Sequence, residues 1–213
     1  MKLYGSTNKK SFNTLKIRAA LAEAGATYEF VPVDLDKGEN KTPEYLALNP
    51  HGKVPVLTDG DFALPESNAI LWYVAEMHPA SSLVPRNDGS PAAIQARARV
   101  AQWLDFAQTT LYAAYAEWWN KALGGDHERD PAAAAAALGR IHRGLAVMEA
   151  VLAARPYLAT PAFSMADLSN ASMVFALERR LPDEPLSKYE RVRAWYDRLR
   201  VRPSFASSIS SGP

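Results

Sequence analysis

Between His51 and Glu76 the chain reads HGKVPVLTDGDFALPESNAILWYVAE, and this stretch leaves few folds open. Two short apolar runs, Val56 to Thr58 and Phe62 to Leu64, flank Asp59-Gly60, a turn pair that folds adjacent runs into an antiparallel hairpin. Pro55 stands at the entry to the first run, where a missing N–H is tolerated. Glu66-Ser67 then opens a predicted helix over Ser67 to Glu76. A hairpin closed by a helix cannot bury its apolar face alone, so the residues before it must supply the remaining layers.

They do. Lys2 to Gly5 and Tyr28 to Val33 read as strands, with a helix from Asn13 to Ala24 between them that stops at Gly25. Pro43 to Ala47 reads as a short helix. The order βαβ–α–ββ–α is that of a thioredoxin-like domain, a crossover unit followed by a hairpin and a closing helix. Composition then changes. PASSLVPRNDGSP (79–91) reads as a linker, and everything after it reads as helix. Ala92 to Leu123 has no Gly or Pro, and Ala132 to Ala154 follows the start signal Asp130-Pro131. Ser164-Met165-Ala166-Asp167 is close to a capping box, with Asp replacing Glu or Gln. A last helix is predicted from about Lys188 to Arg200, ending before Pro203. The fold class expected is therefore α/β plus all-α: a thioredoxin-like domain over residues 1–78, a linker over 79–91 and a helical bundle over 92–213.

Several functions are disfavoured by composition. The net charge is +1, and the late arginines alternate with acids, which reads as a solvated helix face rather than a nucleic-acid patch. The absence of cysteine excludes disulfides, thiolate metal sites and a cysteine nucleophile. No metal spacing links His51, His78, His127 and His142, and Gly124-Gly125 is no dinucleotide fingerprint. MKLYGSTN lacks an apolar signal core and no run approaches the roughly 18 apolar residues of a membrane span, so cytoplasmic residence with no membrane partner is expected.

Two features carry chemistry. Val54-Pro55 offers extended backbone just before a strand, and Glu66-Ser67 offers a carboxylate, a hydroxyl and backbone donors at a helix start. Together they can hold a small peptide by its main chain and its amino-acid head. SFNTLKIRAALAEAG (11–25), GENKTPEYLALNP (38–50), GKVPVL (52–57), PESNAILWYVAE (65–76) and FSMADLS (163–169) together resemble the cytosolic glutathione transferases over nearly the whole chain. Ser11, Asn13, Lys16 and Arg18 keep the S-x-N-x-x-K-x-R spacing of bacterial-like, serine-type members, although the loop before Ser11 is about two residues longer.

The resemblance implies glutathione as co-substrate, no metal, a homodimer and a hydrophobic electrophile. It implies that Ser11 donates a hydrogen bond to the glutathione thiolate, a role for which Ser6 is the alternative; from position alone Ser11 serves equally as a helix cap. Asn13 orients the same loop or caps the helix. Lys41 and Lys53 are implied to meet the glycyl carboxylate, Val54 the cysteinyl backbone ahead of a cis Pro55, and Glu66 with Ser67 the γ-glutamyl head. Lys9 and Lys10 read as solvated loop lysines. Tyr112, Tyr115 and Trp119 share a helix face and are candidates for the second-substrate pocket, though such a stripe is more often core or interface. Glutathione-dependent reduction of peroxides or disulfides, and a non-catalytic interaction module on the same fold, are the alternative functions.

Overall fold

In the computed structural model, strand β1 (Lys2–Ser6) lies parallel to β2 (Glu29–Val33) and antiparallel to β3 (Val56–Asp59), and β3 pairs antiparallel with β4 (Phe62–Pro65). The sheet order is β2-β1-β3-β4. The structure describes residues 1–7, 11–123, 128–181 and 186–210; Lys9, Lys10, Gly124, Gly125 and His127 lie outside the described residues. Asp59 pairs with Phe62, so the hairpin loop is Gly60-Asp61, one residue later than the Asp59-Gly60 reading. Pairing carries one residue further before the chain turns.

Helix α1 (Phe12–Glu23) is buried along Leu15, Ile17, Ala20 and Leu21, and α3 (Ser67–Met77) along Ile70, Leu71 and Val74. These side chains and Leu3, Val56 and Leu57 of the sheet are each at most 5% exposed. Burial on that scale is the main favourable term for a small sheet domain, about 1.5–3 kcal/mol per large apolar side chain. Short α2 (Pro43–Leu48) begins with Pro43 after Thr42, whose hydroxyl accepts from the Tyr45 N–H.

Contacts divide the chain into two units: Met1–Arg86 with the described residues from Arg200 on, and Asn87–Leu199. The second unit holds α4 (Pro91–Asp105), α5 (Ala113–Leu123), α6 (Pro131–Leu152), α7 (Met165–Arg180) and α8 (Glu190–Arg200, whose last residue falls in the first unit). The stretch read as one helix from Ala92 to Leu123 stays helical but passes through π-helical turns at Phe106–Tyr112. Helix α7 is the core helix, with every residue from Met165 to Leu177 buried. Its polar side chains bond inside the unit: Asn170 Nδ2 donates to the carbonyls of Trp103 and Ala166, and the Ser172 hydroxyl to that of Leu168.

Helix α8 ends at Arg200, before Pro203 as expected, but it is not the last helix of the chain. Pro203 opens a further helix, α9 (Pro203–Ser210), with the Ala206 N–H bonded to the Arg202 carbonyl. Proline at a first helical position loses no hydrogen bond, so it starts helices as readily as it stops them. This segment packs on α1 in the first unit, with Phe205 fully buried. Glu23 holds it there, accepting from Arg202 Nη2 at 2.5 Å, the Ser204 hydroxyl at 2.6 Å and the Ser82 hydroxyl at 2.9 Å. Those donors hold the Glu23 carboxyl below the ordinary range although burial pushes the other way.

Candidate active site

Ser11 is the N-cap of α1, and the Thr14 N–H reaches its hydroxyl at 3.4 Å. Thr14 Oγ1 lies 3.0 Å from Ser11 Oγ and accepts the Ser6 N–H at 3.2 Å. The hydroxyl of Thr14 therefore joins the end of β1 to the first turn of α1. The α1 first turn carries no acidic residue, so its positive dipole end is not neutralised locally. Asn13 is the second helical residue rather than the cap, and its Oδ1 accepts the Ser67 hydroxyl at 3.2 Å.

The GKVP segment is held from behind. The Lys53 carbonyl accepts from Tyr45 Oη at 2.9 Å and Asn49 Nδ2 at 2.7 Å, and the Gly52 carbonyl from Asn40 Nδ2 at 2.6 Å. Burial raises the Tyr45 phenol, which keeps it a donor. Gly52 has φ +60, and a Cβ there would come within 2.8 Å of the Asn40 carbonyl oxygen and 2.9 Å of Lys41 Nζ. The glycine thus allows both the left-handed backbone and the approach of Lys41. Lys41 and Lys53 are exposed, Val54 is half-buried, and the Val54–Pro55 bond is cis as expected. Val54 precedes β3 and lies outside its ladder, which begins at Val56.

Glu66 is the N-cap of α3 and makes no side-chain cap hydrogen bond. It is exposed and has φ +70, a conformation that costs a non-glycine residue on the order of 1–3 kcal/mol and recurs at ligand-holding positions. Ser67 is 7% exposed. Behind them stands Lys16, 1% exposed, whose ammonium donates to Asn68 Oδ1 at 2.8 Å. Burial lowers the Lys16 pKa to about 7, and the Glu66 carboxylate pulls it partly back.

Ser11, Asn13, Glu66 and Ser67 are thus linked through two helix starts, and Lys41, Lys53, Val54 and Pro55 through one loop. In the helical unit, the Tyr115 ring lies 6.2 Å from those of both Trp118 and Trp119, and the Arg180 guanidinium sits 4.4 Å over Trp119. Tyr115 is buried, whereas Tyr112 and Trp119 are half-buried. Sequence reasoning missed Thr14, Asn40, Tyr45, Asn49 and Asn68, and singled out Lys16 only for its spacing. GENKTPEYLALNP contained three of them, but an asparagine or tyrosine that holds a carbonyl carries no local pattern. Among the described residues, no group of three or more His, Asp or Glu side chains is arranged to hold a metal, and no helix is long and apolar enough to cross a membrane.

Residues 1–76 match the family model "Glutathione S-transferase, N-terminal domain" and residues 131–198 the model "Glutathione S-transferase, C-terminal domain". The chain is 36% identical over 208 residues to a probable glutathione S-transferase GSTF2 of Oryza sativa subsp. japonica, covering 96% of this chain and 93% of that one. Among solved structures it is similar to a glutathione S-transferase-I bound with lactoylglutathione, at 33% identity and a TM-score of 0.81 over 98% of each chain. It is also similar to the theta class glutathione S-transferase of Xanthomonas axonopodis pv. citri with glutathione bound, at 34% identity and a TM-score of 0.83 over 99% of this chain and 97% of that one.

Proposed function

The chain belongs to the glutathione S-transferase family and is a glutathione transferase, and from that premise we propose that it activates the glutathione thiol through Ser11, as a serine-type member. The γ-glutamyl head meets Glu66 and Ser67, the cysteinyl backbone meets Val54 ahead of cis Pro55, and the glycyl carboxylate meets Lys41 and Lys53. The observation that carries this reading is the hydrogen bond from Ser67 to Asn13, which ties the candidate peptide-holding helix start to the candidate thiol-activating one. The fit is chemical as well: Gly52 admits the Lys41 ammonium, and the doubly held Lys53 carbonyl fixes the backbone from which Val54 is presented.

A thiol with a pKa near the reference value of about 8.5 is only a few per cent thiolate at pH 7. The Ser11 O–H, donated to the sulfur, favours the anion, and the α1 N-terminus adds to it. The thiol proton goes to solvent and the sulfur pair attacks an electrophilic carbon. The carbon's leaving group departs, or the adduct takes up a proton. Tyr112, Tyr115 and Trp119 are the candidates to meet the electrophile. We further propose a cytoplasmic homodimer; Phe62, Ile94 and Val147, each roughly half exposed, supply apolar surface for a second chain.

Retention on immobilised glutathione, with elution by free glutathione, tests the binding reading, and a panel of electrophiles and peroxides tests the reaction. A folded protein that passes through the column unretained overturns the assignment of these residues to glutathione. Turnover of peroxides alone assigns the same site to reduction. A monomer mass at micromolar concentration overturns the dimer.

A further inference from the structure

We infer that Thr14 is a positioning residue for Ser11, fixing the direction in which the Ser11 hydroxyl spends its proton; the inference rests on the reading of Ser11 as the donor to the thiolate. Thr14 Oγ1 already accepts the Ser6 N–H at 3.2 Å, at the buried end of β1. The adjacent contact is the one to Ser11 Oγ at 3.0 Å, and either oxygen can be its donor. A hydroxyl has one proton and two lone pairs. With Thr14 donating to Ser11, and the Thr14 N–H also directed at Ser11 Oγ, the acceptor capacity of Ser11 is filled from behind. The Ser11 proton is then directed outward, to an anion. Were Ser11 instead to donate to Thr14, the sulfur would face lone pairs.

Packing fixes the Thr14 rotamer that makes this possible. A Cβ on Gly5 would fall 2.5 Å from Thr14 Cγ2 and 2.7 Å from the Phe30 ring. The methyl of Thr14 therefore occupies the space that only glycine leaves in β1, and Thr14 is 4% exposed. With the methyl seated over Gly5, Oγ1 is turned toward Ser6 and Ser11. A threonine, with two different groups on one Cβ, joins a packing anchor to a directed hydroxyl. Serine lacks the anchor and valine lacks the hydroxyl.

The test is the pH profile of conjugation and the thiolate absorbance of the glutathione complex for Thr14→Val, Thr14→Ser, Ser11→Ala and the Ser11→Ala/Thr14→Val pair. Lys16 and Arg18 on α1, the latter with its guanidinium over the Phe30 ring, and Glu66 ahead of α3 are left in place. Thr14→Val keeps the methyl over Gly5 and is expected to raise the bound thiol's pKa by about half a unit to one unit. That is a rate loss of roughly twofold to sixfold near pH 6.5, shrinking as pH rises, with glutathione affinity within about twofold. Thr14→Ser, which keeps the hydroxyl without its anchor, is expected to give a profile between those of Thr14→Val and wild type. In the Ser11→Ala background, Thr14→Val is expected to add no further shift, which a merely structural loss would not reproduce. If Thr14→Val does not fold, Thr14→Ala, which removes the hydroxyl without crowding Gly5, carries the same expectation. A shifted Ser11→Ala beside an unshifted Thr14→Val overturns the inference and leaves the reading of Ser11 standing. An unshifted Ser11→Ala overturns both.

Discussion

Helices α3 and α7 begin with similar sequence signals and opposite structures. At α7 the N-cap Ser164 and the acid three residues on, Asp167, are both fully buried and close a capping box. The Asp167 carboxylate accepts from the N–H groups of Ser164 and Leu158, the Ser164 hydroxyl and Trp195 Nε1. Burial still pushes its carboxyl up, against all four donors. At α3 the cap is Glu66, exposed, in a positive-φ backbone and without a side-chain cap bond. One helix end is satisfied by the protein itself; the other is held strained and presented outward. We propose that this strained end, which lacks a side-chain cap bond, is the one kept for a ligand. The start of α1 lies between these extremes, since Ser11 caps the helix and is proposed to serve the thiolate as well.

The largest effect expected from breaking this contrast is structural. Asp167→Ala strands several buried donors at once and is predicted to cost about 3–5 kcal/mol of stability, read by denaturant unfolding of the whole chain. A loss below 1 kcal/mol would mean that the closed end of α7 contributes little.

Ser11→Ala acts on chemistry instead. The bound thiol's pKa should rise by about two units, roughly 2.7 kcal/mol of lost thiolate stabilisation, with at least about a tenfold slower rate near pH 7 and little change in glutathione affinity. The deficit should close as pH rises, because the thiol then ionises unaided. A profile unchanged from wild type would point to Ser6 or Asn13.

Ser67→Ala tests the open end of α3. Glutathione affinity measured by calorimetry should fall by about 1–3 kcal/mol, the cost of leaving a charged partner short of a hydrogen bond. Unchanged affinity in a folded variant would remove Ser67 from the site.

The smallest effect concerns Lys16, which backs α3 through Asn68. Its folded pKa, about 7, lies below its unfolded value of 10.5. Between these pH values the unfolded chain holds a proton that the folded chain has released, so this group's contribution to stability rises with pH across that window. Below it the cost of burying the charge is present in full. The slope is at most about 1.4 kcal/mol per pH unit. Compared with Lys16→Met, wild type should gain about 1 kcal/mol of stability between pH 7 and 8. Parallel stability curves for the two proteins over that interval would show that Lys16 keeps its proton when folded.

By itself the sequence determined what acts over a few residues. The Val56–Leu64 hairpin, the helices after the linker and the Ser164–Asp167 cap were legible in turn pairs, periodicity and motif spacing, and the cis Val54–Pro55 bond was implied by the family resemblance. Even there, ambiguity remained wherever one residue has two local meanings. Pro203 could stop α8 or start α9, and only the burial of Phe205 and the hold of Glu23, 179 residues from Arg202, decided it. The tertiary structure alone set Ser67 on Asn13 across 54 residues and Lys16 under Asn68 across 52, and turned Thr14 between Ser6 and Ser11. A hydrogen bond between side chains on different elements leaves no periodic trace, because it depends on which faces packing brings together. The residue types that can activate a thiol are written in the chain; the direction in which each hydroxyl spends its proton is decided by the neighbours that folding supplies.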